Sequence, residues 1–458
     1  SFFSTLITPL LYEWYGPEVA FGVPGIVMGV ATVVFWMGRN KFVHVPPHPG
    51  GRLGMMDFVA SALFFAPVFA IILAVFVVGG HYEPPSAEGL SGAEFYAEYL
   101  STYLGFLAVE AWWYFVIAAV IFAVGLAIFN ARQKQKEDDG FLAVALYSFK
   151  NRTKRKVGEG FFDVARDHFG DEAAEGPPAV LRIALVFSMV SVFWALFDQH
   201  ASTWIKQAGQ MDLTVSLPWH TGYFVIIATV TLALYGGTWL FLYVANHKIP
   251  RTVTSGVAGL VVVGLAVAAF MDMSTGKVWE LELLKSQIAA LNPLMVMLII
   301  PGLNILVYGP LTRRGVEIRP LQKMTVGMFT AAAAFACAAI LQSKIEALAE
   351  TGEQITVFWQ VGQYVIMTTA EVLVSVTGLE FAYTQAPRAM KSTIMGFWLL
   401  GVTFGNVLVA FLAPMESILT LSEFFWFFTV LMVVASGLFM WMAHMYKGKS
   451  YLQATAAE

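Results

Sequence analysis

Two carboxylates stand inside long apolar runs. Asp198 lies in ALVFSMVSVFWALFDQHASTW and Glu371 in VIMTTAEVLVSVTGLEFAYTQAP. A carboxylate near the middle of a membrane helix is costly, and acids that persist there mark ion, proton or substrate sites. Trp194 and Asp198 are one helical turn apart, with Phe197 beside them. An acid framed by aromatics can bind a cation, take up a proton or pair with a base on a facing helix. The plainer alternative is a structural ion pair or a residue near the interface. Glu371 and Ser375 repeat the one-turn spacing. A carboxylate in a low dielectric can hold a substrate ammonium group, or it can be a neutral acid hydrogen-bonded for packing. Asn292 and Pro293 open the run LNPLMVMLIIPGLNILVYG. There Asn supplies donors and acceptors in an apolar wall, or simply punctuates a helix start. Trp398 fits a pocket wall or a lipid-facing surface. Gly396, Gly401 and Gly405 allow close helix packing, and Glu380 and Tyr383 suit a structural or gating role.

The elements that must hold these residues are membrane helices. Of the 458 residues, 58% are hydrophobic and only 13% are charged, where a soluble domain carries about a quarter. The apolar residues come in blocks of about twenty, the length of a membrane-spanning helix. The blocks are continuous rather than alternating, which excludes a β-barrel. The fold class is an all-α polytopic membrane protein. One partial span over residues 1–12 precedes complete spans near 20–38, 57–79, 110–130, 180–203, 219–245, 252–271, 288–311, 324–343, 357–382, 392–413 and 422–444.

Charge sets the orientation. With the first partial span running outward, all but Lys206, Lys277, Lys285 and Lys344 of the 27 Lys and Arg residues fall on one side. The positive-inside rule makes that side cytoplasmic. The external loop 80–109 is acidic. Within the cytoplasmic loop 131–179, Phe161, Phe162, Ala165 and Phe169 share a helical face. That predicts a short amphipathic helix against the membrane or under the bundle, or a solvated connector. Cys337 reads as a small buried residue. The histidines lack metal-ligand spacing, no phosphate-cradling glycine loop is present, and nothing suggests nucleic-acid binding.

At FWALFDQHASTW (193–204) and AEVLVSVTGLEFAYTQAP (370–387) the chain resembles the proton-dependent oligopeptide transporters of the major facilitator superfamily. The W-x-L-F-[DE]-Q run resembles the family's seventh helix and the second run its tenth. GPEVAFGVPGIVMGVATVVFW looks like helix six, LNPLMVMLIIP like helix eight, RPLQKMTVG like the entry to helix nine and MGFWLLGVTFGN like helix eleven. The resemblance implies a major facilitator fold with a complete C-terminal six-helix bundle, a partial N-terminal bundle and extra transmembrane helices. Residues 1–38 are then the remnant of the N-terminal bundle. Residues 39–130 hold a cytoplasmic loop and a first extra helix pair, and 131–179 form the cytoplasmic linker. Residues 180–458 form the C-terminal bundle, with a second inserted pair at about 219–271. Ser1–Thr5 looks like the continuation of a helix-five motif, and the E-x-x-E-R-F-x-Y-Y motif of helix one is not in the sequence. The chain is therefore expected to be an N-terminally truncated form that does not transport alone.

The resemblance also implies roles. Glu371 and Asn292 are expected to hold a peptide's amino terminus. Asp198 is expected to pair with a base of the N-terminal bundle, gating and coupling to protons. Trp194, Phe197 and Trp398 are expected to line the pocket, with Ser375 a minor contact. The implied activity is proton-coupled symport of di- and tripeptides by alternating access, powered by the proton gradient with no cofactor, metal or enzymatic step. The expected setting is a multi-pass monomer in the cell inner membrane with its C-terminus cytoplasmic, meeting peptides, protons and lipid. Two alternatives stay open: the same scaffold moving another small solute, and a non-transporting peptide sensor.

Overall fold

The computed structural model describes residues 2–39, 51–86, 92–135, 140–156, 158–225, 227–228, 231, 235, 250–316, 318–385 and 390–446. Among them, ten helical stretches are long and apolar enough to cross a membrane. Most of the expected span at 219–245 lies outside the described residues.

The first helices are α1 (Phe2–Tyr15) and α2 (Pro17–Gly38). They meet at Gly16, whose φ of 80° is easy only for glycine, and Pro17 then starts α2 with its φ already helical. Next come α3 (Gly51–Leu73), α4 (Gly92–Glu110) and α5 (Trp112–Gln133). α3 and α5 pack antiparallel: Phe64 lies against Phe122 and Phe129, and Asp57 at the start of α3 pairs with Arg132 at the end of α5 at 2.7 Å. α4 lies in the stretch expected to be an acidic loop. Its buried Phe95, Tyr99 and Tyr103 form an aromatic cluster that reaches Phe411. The linker carries α6 (Phe141–Lys150) and the single turn α7 (Arg166–Phe169). The amphipathic helix expected there is thus reduced to short turns. Ala165, Phe162 and Phe169 do pack together with Val144 and Tyr147 of α6, whereas Phe161 departs from the expected face and stays exposed.

α8 (Asp171–Phe197) tightens into a 3-10 turn at Asp198–Ala201 and continues as α9 (Thr203–Ala208). A two-stranded antiparallel ribbon follows, the exception to an all-helical build among the described residues. β1 (Thr214–Pro218) pairs with β2 (Val278–Glu282), Val215 opposite Leu281 and Leu217 opposite Trp279. Between the strands, residues 219–225 are helical, and α10 (Arg251–Thr275) returns to the ribbon. Asp272 of α10 accepts the backbone N–H groups of His220 and Thr221 at 2.8 Å each, so it caps the start of its partner helix. Leu283 N donates to Leu213 O at 3.1 Å, so the chain leaves and re-enters the bundle at one point.

The last helices are α11 (Leu291–Leu303), α12 (Gly309–Arg313), α13 (Pro320–Ala349), α14 (Gln360–Glu371), α15 (Thr377–Gln385), α16 (Lys391–Leu412) and α17 (Leu421–Met445). A π-helical turn, Asn304–Tyr308, joins α11 to α12, and another, Val372–Val376, joins α14 to α15. In lipid, helices are held by close packing rather than by water exclusion. α13 meets this demand with buried Ala331, Ala332, Ala334, Ala338 and Ala339, which let the phenylalanines of α17 approach. Phe335 stands edge-on to Phe425 at 5.9 Å. By contrast α2 and α10 are largely exposed apolar cylinders, as helices facing acyl chains should be.

Candidate functional site

Two of the expected residues pair through helix packing. Asn292, at the start of α11, donates from Nδ2 to Glu371 Oε2 at 2.8 Å and lies 3.2 Å from Thr368 Oγ1. Glu371 is the last residue of α14, directly before the π-turn. Such a turn inserts one residue into the helix and is frequent at functional sites. Glu371 Oε1 has no hydrogen-bond donor among the described residues, so the pair presents one oriented carboxylate oxygen. Ser375 sits within the π-turn and is half-buried. It does not join the pair: among the described residues its hydroxyl has no hydrogen bond.

The aromatic residues form one wall. Trp194 is edge-on to Phe197 at 5.6 Å and to Trp398 at 6.0 Å. Trp398 is also edge-on to Phe187 at 5.0 Å and is buried, which settles its alternatives against the lipid-facing one. A glycine makes this possible: a Cβ on Gly378 of α15 would lie 2.5 Å from the Trp398 ring. Among the described residues the buried Trp194 indole N–H has no acceptor.

α8 and α16 approach closely at this wall. Gly405 faces the backbone of α8, where a Cβ would meet Ser191 O at 2.7 Å and Ala195 N at 2.9 Å, while Gly401 faces Phe187 O at 3.4 Å. Gly396, expected to act with them, faces open space and serves no packing role. This contact brings Asn406 of α16 near Asp198; the Asn406 amide donates to Val402 O at 3.4 Å. Among the described residues no Lys or Arg pairs with Asp198.

The spacing rules did not reveal Thr368, Asn406, Tyr364 or His200. Tyr364 of α14 is buried two turns before Glu371, and its hydroxyl donates to His200 O at 3.0 Å. Beyond it lies a buried amide cluster. Gln207 accepts from Gln360 and Gln363 at 3.0 and 2.9 Å and donates to Ala338 O and Gln342 at 3.0 and 3.2 Å. Gln207 thereby fastens α9 to α13 and α14.

A many-helix membrane bundle, with paired polar residues between helices that also carry an aromatic wall, defines a polytopic protein of the major facilitator fold. A family model, PTR2 of the POT family, matches residues 1–75 and 259–427, more than half of the chain, and the protein belongs to this family. Asn292, Glu371, Ser375 and Trp398 lie in the second matched segment; Trp194, Phe197 and Asp198 lie between the two. Over 95 residues the chain is 44% identical to Peptide transporter family 1 of Drosophila melanogaster, covering 21% of this chain and 13% of the fly protein. It is 34% identical over 164 residues to Peptide transporter PTR2 of Saccharomyces cerevisiae, covering 33% of this chain and 27% of the yeast protein. The matches thus span well under a third of these relatives. Among solved structures, an auto-inhibited POT family peptide transporter aligns with 99% of this chain and 69% of its own, at 25% identity and a TM-score of 0.56. The POT family transporter PepTSo aligns with 97% and 68%, at 28% identity and a TM-score of 0.54.

Proposed function

We propose that this protein is a proton-coupled symporter of di- and tripeptides that works by alternating access. The hydrogen-bonded Asn292–Glu371 pair carries the reading. One carboxylate oxygen is fixed by the Asn amide, and the other is available to a peptide ammonium group. In a site of reduced dielectric, that charge pairing is stronger than in water. Asn292 orients the acid without neutralising it. Trp194, Phe197 and Trp398 give the side-chain pocket an apolar wall that tolerates varied residues. The free indole N–H of Trp194 offers a donor to a peptide carbonyl. Asp198 sits at the gate, near Asn406, and takes part in proton coupling.

The protein acts as a transporter and not as an enzyme, with the proton gradient as its energy source. The Lys and Arg distribution supports an inner-membrane orientation with the C-terminus cytoplasmic. The working unit in this reading is a monomer surrounded by lipid. The test is peptide binding and uptake in proteoliposomes with Glu371→Gln. Gln keeps an acceptor for Asn292 but removes the charge. Charged hydrogen bonds contribute about 1.5–3 kcal/mol, so dipeptide affinity should fall roughly 10- to 150-fold with the fold intact. Unchanged affinity would overturn the assignment of Glu371. Acid-driven accumulation of a different solute that dipeptides do not compete against would overturn the substrate.

A further inference from the structure

His200 lies two residues beyond Asp198, on the same 3-10 turn. Its Nδ1 hydrogen-bonds the carbonyl oxygen of Phe197. A carbonyl can only accept, so Nδ1 must carry the hydrogen in both charge states. That fixes the neutral tautomer and leaves the lone pair on Nε2, the atom at which a proton would arrive. The imidazole stands between two rings, Phe197 at 4.6 Å and Tyr364 edge-on at 6.1 Å. Aromatic faces favour a cation over a neutral ring. Tyr364 also donates to the His200 carbonyl, so the backbone of this turn is fastened to the helix that ends in Glu371.

The charges around the imidazole can be enumerated. On its own turn is Asp198. From α14 comes the Tyr364 phenol. The segment Lys285–Ala290 also packs on this turn and brings Lys285. On α9, Lys206 is already paired with Glu416. Asp198 has no Lys or Arg partner among the described residues, and His200 is the base on its own turn.

We infer that His200 is a second proton-holding residue of the transport cycle, accepting a proton at Nε2 on the same turn as Asp198. This rests on the symport reading above. In that orientation the turn lies toward the external end of its helix. Nε2 takes a proton from external water; an N–H bond forms, imidazole becomes imidazolium, and the same bond breaks when the proton leaves on the other side. The imidazolium shares its turn with Asp198, so the charge is gained or lost within one helix. Protonation is passed on through the carbonyl held by Tyr364 to the helix of Glu371.

The experiment compares wild type, His200→Gln and Tyr364→Phe in proteoliposomes, with labelled dipeptide uptake at external pH 5 to 8. His200→Gln should bind dipeptide within about twofold of wild type yet lose most of the acid-driven rise in rate, with the midpoint displaced by about one pH unit. Tyr364→Phe keeps the imidazole and should keep the wild-type midpoint while reducing the size of the acid-driven rise, because the bond to the His200 carbonyl is lost. A His200→Gln profile that superimposes on wild type overturns the inference. Nitrogen-15 histidine spectra of wild type provide an arm that needs no transport. The His200 resonances, identified by their loss in the Gln variant, should show Nδ1 protonated throughout and Nε2 changing between pH 5 and 8. An Nε2 that does not change overturns the inference. Wild type without acid-stimulated uptake, but with a titrating Nε2, would instead sink the symport reading and leave His200 as a proton-binding group.

Discussion

The three glycines of α16 give a graded test of how closely that helix meets α8. Each is replaced by alanine, adding one methyl group. At Gly396 the new Cβ meets nothing within 4 Å. Alanine there removes only the entropic cost of a helical glycine, and the protein should gain about 0.5–1 kcal/mol. At Gly401 the Cβ would sit 3.4 Å from Phe187 O and 3.8 Å from Ser191 Oγ, ordinary contact distances. The propensity gain and slight crowding should cancel to within about 0.5 kcal/mol. At Gly405 the Cβ would lie 2.7 Å from Ser191 O, 2.8 Å from Trp194 Cβ and 2.9 Å from Ala195 N. Two of these atoms are backbone and the third is fixed to it, so no side chain can swing aside. The helices must separate by about 0.5–1 Å, and dispersion contacts along the seam weaken. The net cost should be about 1–3 kcal/mol, the range for overpacked cores. The same shift would draw Asn406 from Asp198 and Trp398 from Trp194, so dipeptide binding should fall as well. Thermal unfolding in detergent, followed by tryptophan fluorescence, reads the order Gly396→Ala above wild type, Gly401→Ala near it and Gly405→Ala below. A Gly405→Ala protein as stable as Gly401→Ala would refute the close approach of α8 and α16.

Two further outcomes are expected. Gln207→Leu leaves the amides of Gln360, Gln363 and Gln342 and the Ala338 carbonyl short of partners in a fully buried place; each such group costs about 1–3 kcal/mol. The variant should elute aggregated in size-exclusion chromatography, and a wild-type monodisperse peak would contradict the role given to Gln207. In the linker, the Gly160 amide and then Arg166 hold the Asp163 carboxyl below the usual carboxylate range. A lowered folded pKa gives stability that is present above the unfolded value and lost as pH falls through the folded one. Exchange of the Gly160 amide should therefore be slow at neutral pH and accelerate below about pH 4 beyond the intrinsic trend. Asp163→Asn should remove that step, and a step that survives would assign it to another group.

Much of the helix placement is legible in the sequence, because block length and charge asymmetry are direct consequences of the bilayer. The span expected at 324–343 is found as α13, Pro320–Ala349. Trp194 and Phe197 meet because helical spacing alone puts them together. The Asn292–Glu371 contact joins two helices far apart in the chain, and it was reached only through resemblance. Thr368, Asn406 and His200 share that difficulty, since their roles depend on which helices pack. The π-turn after Glu371 left no mark, as VLVSV reads like any helical stretch. α4 was misread because its glutamates suggested a loop, although Phe95, Tyr99 and Tyr103 recur one turn apart. The strands TVSLP and VWELE are not legible in the sequence because the two partners are about sixty residues apart in the chain.

The hydrogen bond between Leu213 and Leu283 has a mechanical consequence. β1 leaves the bundle and β2 returns to it through neighbouring residues, and Asp272 ties the end of α10 to the first helical turn after β1. A change of length between the strands would be absorbed beyond this clasp, leaving Asp198 on one side and Asn292 on the other where they stand.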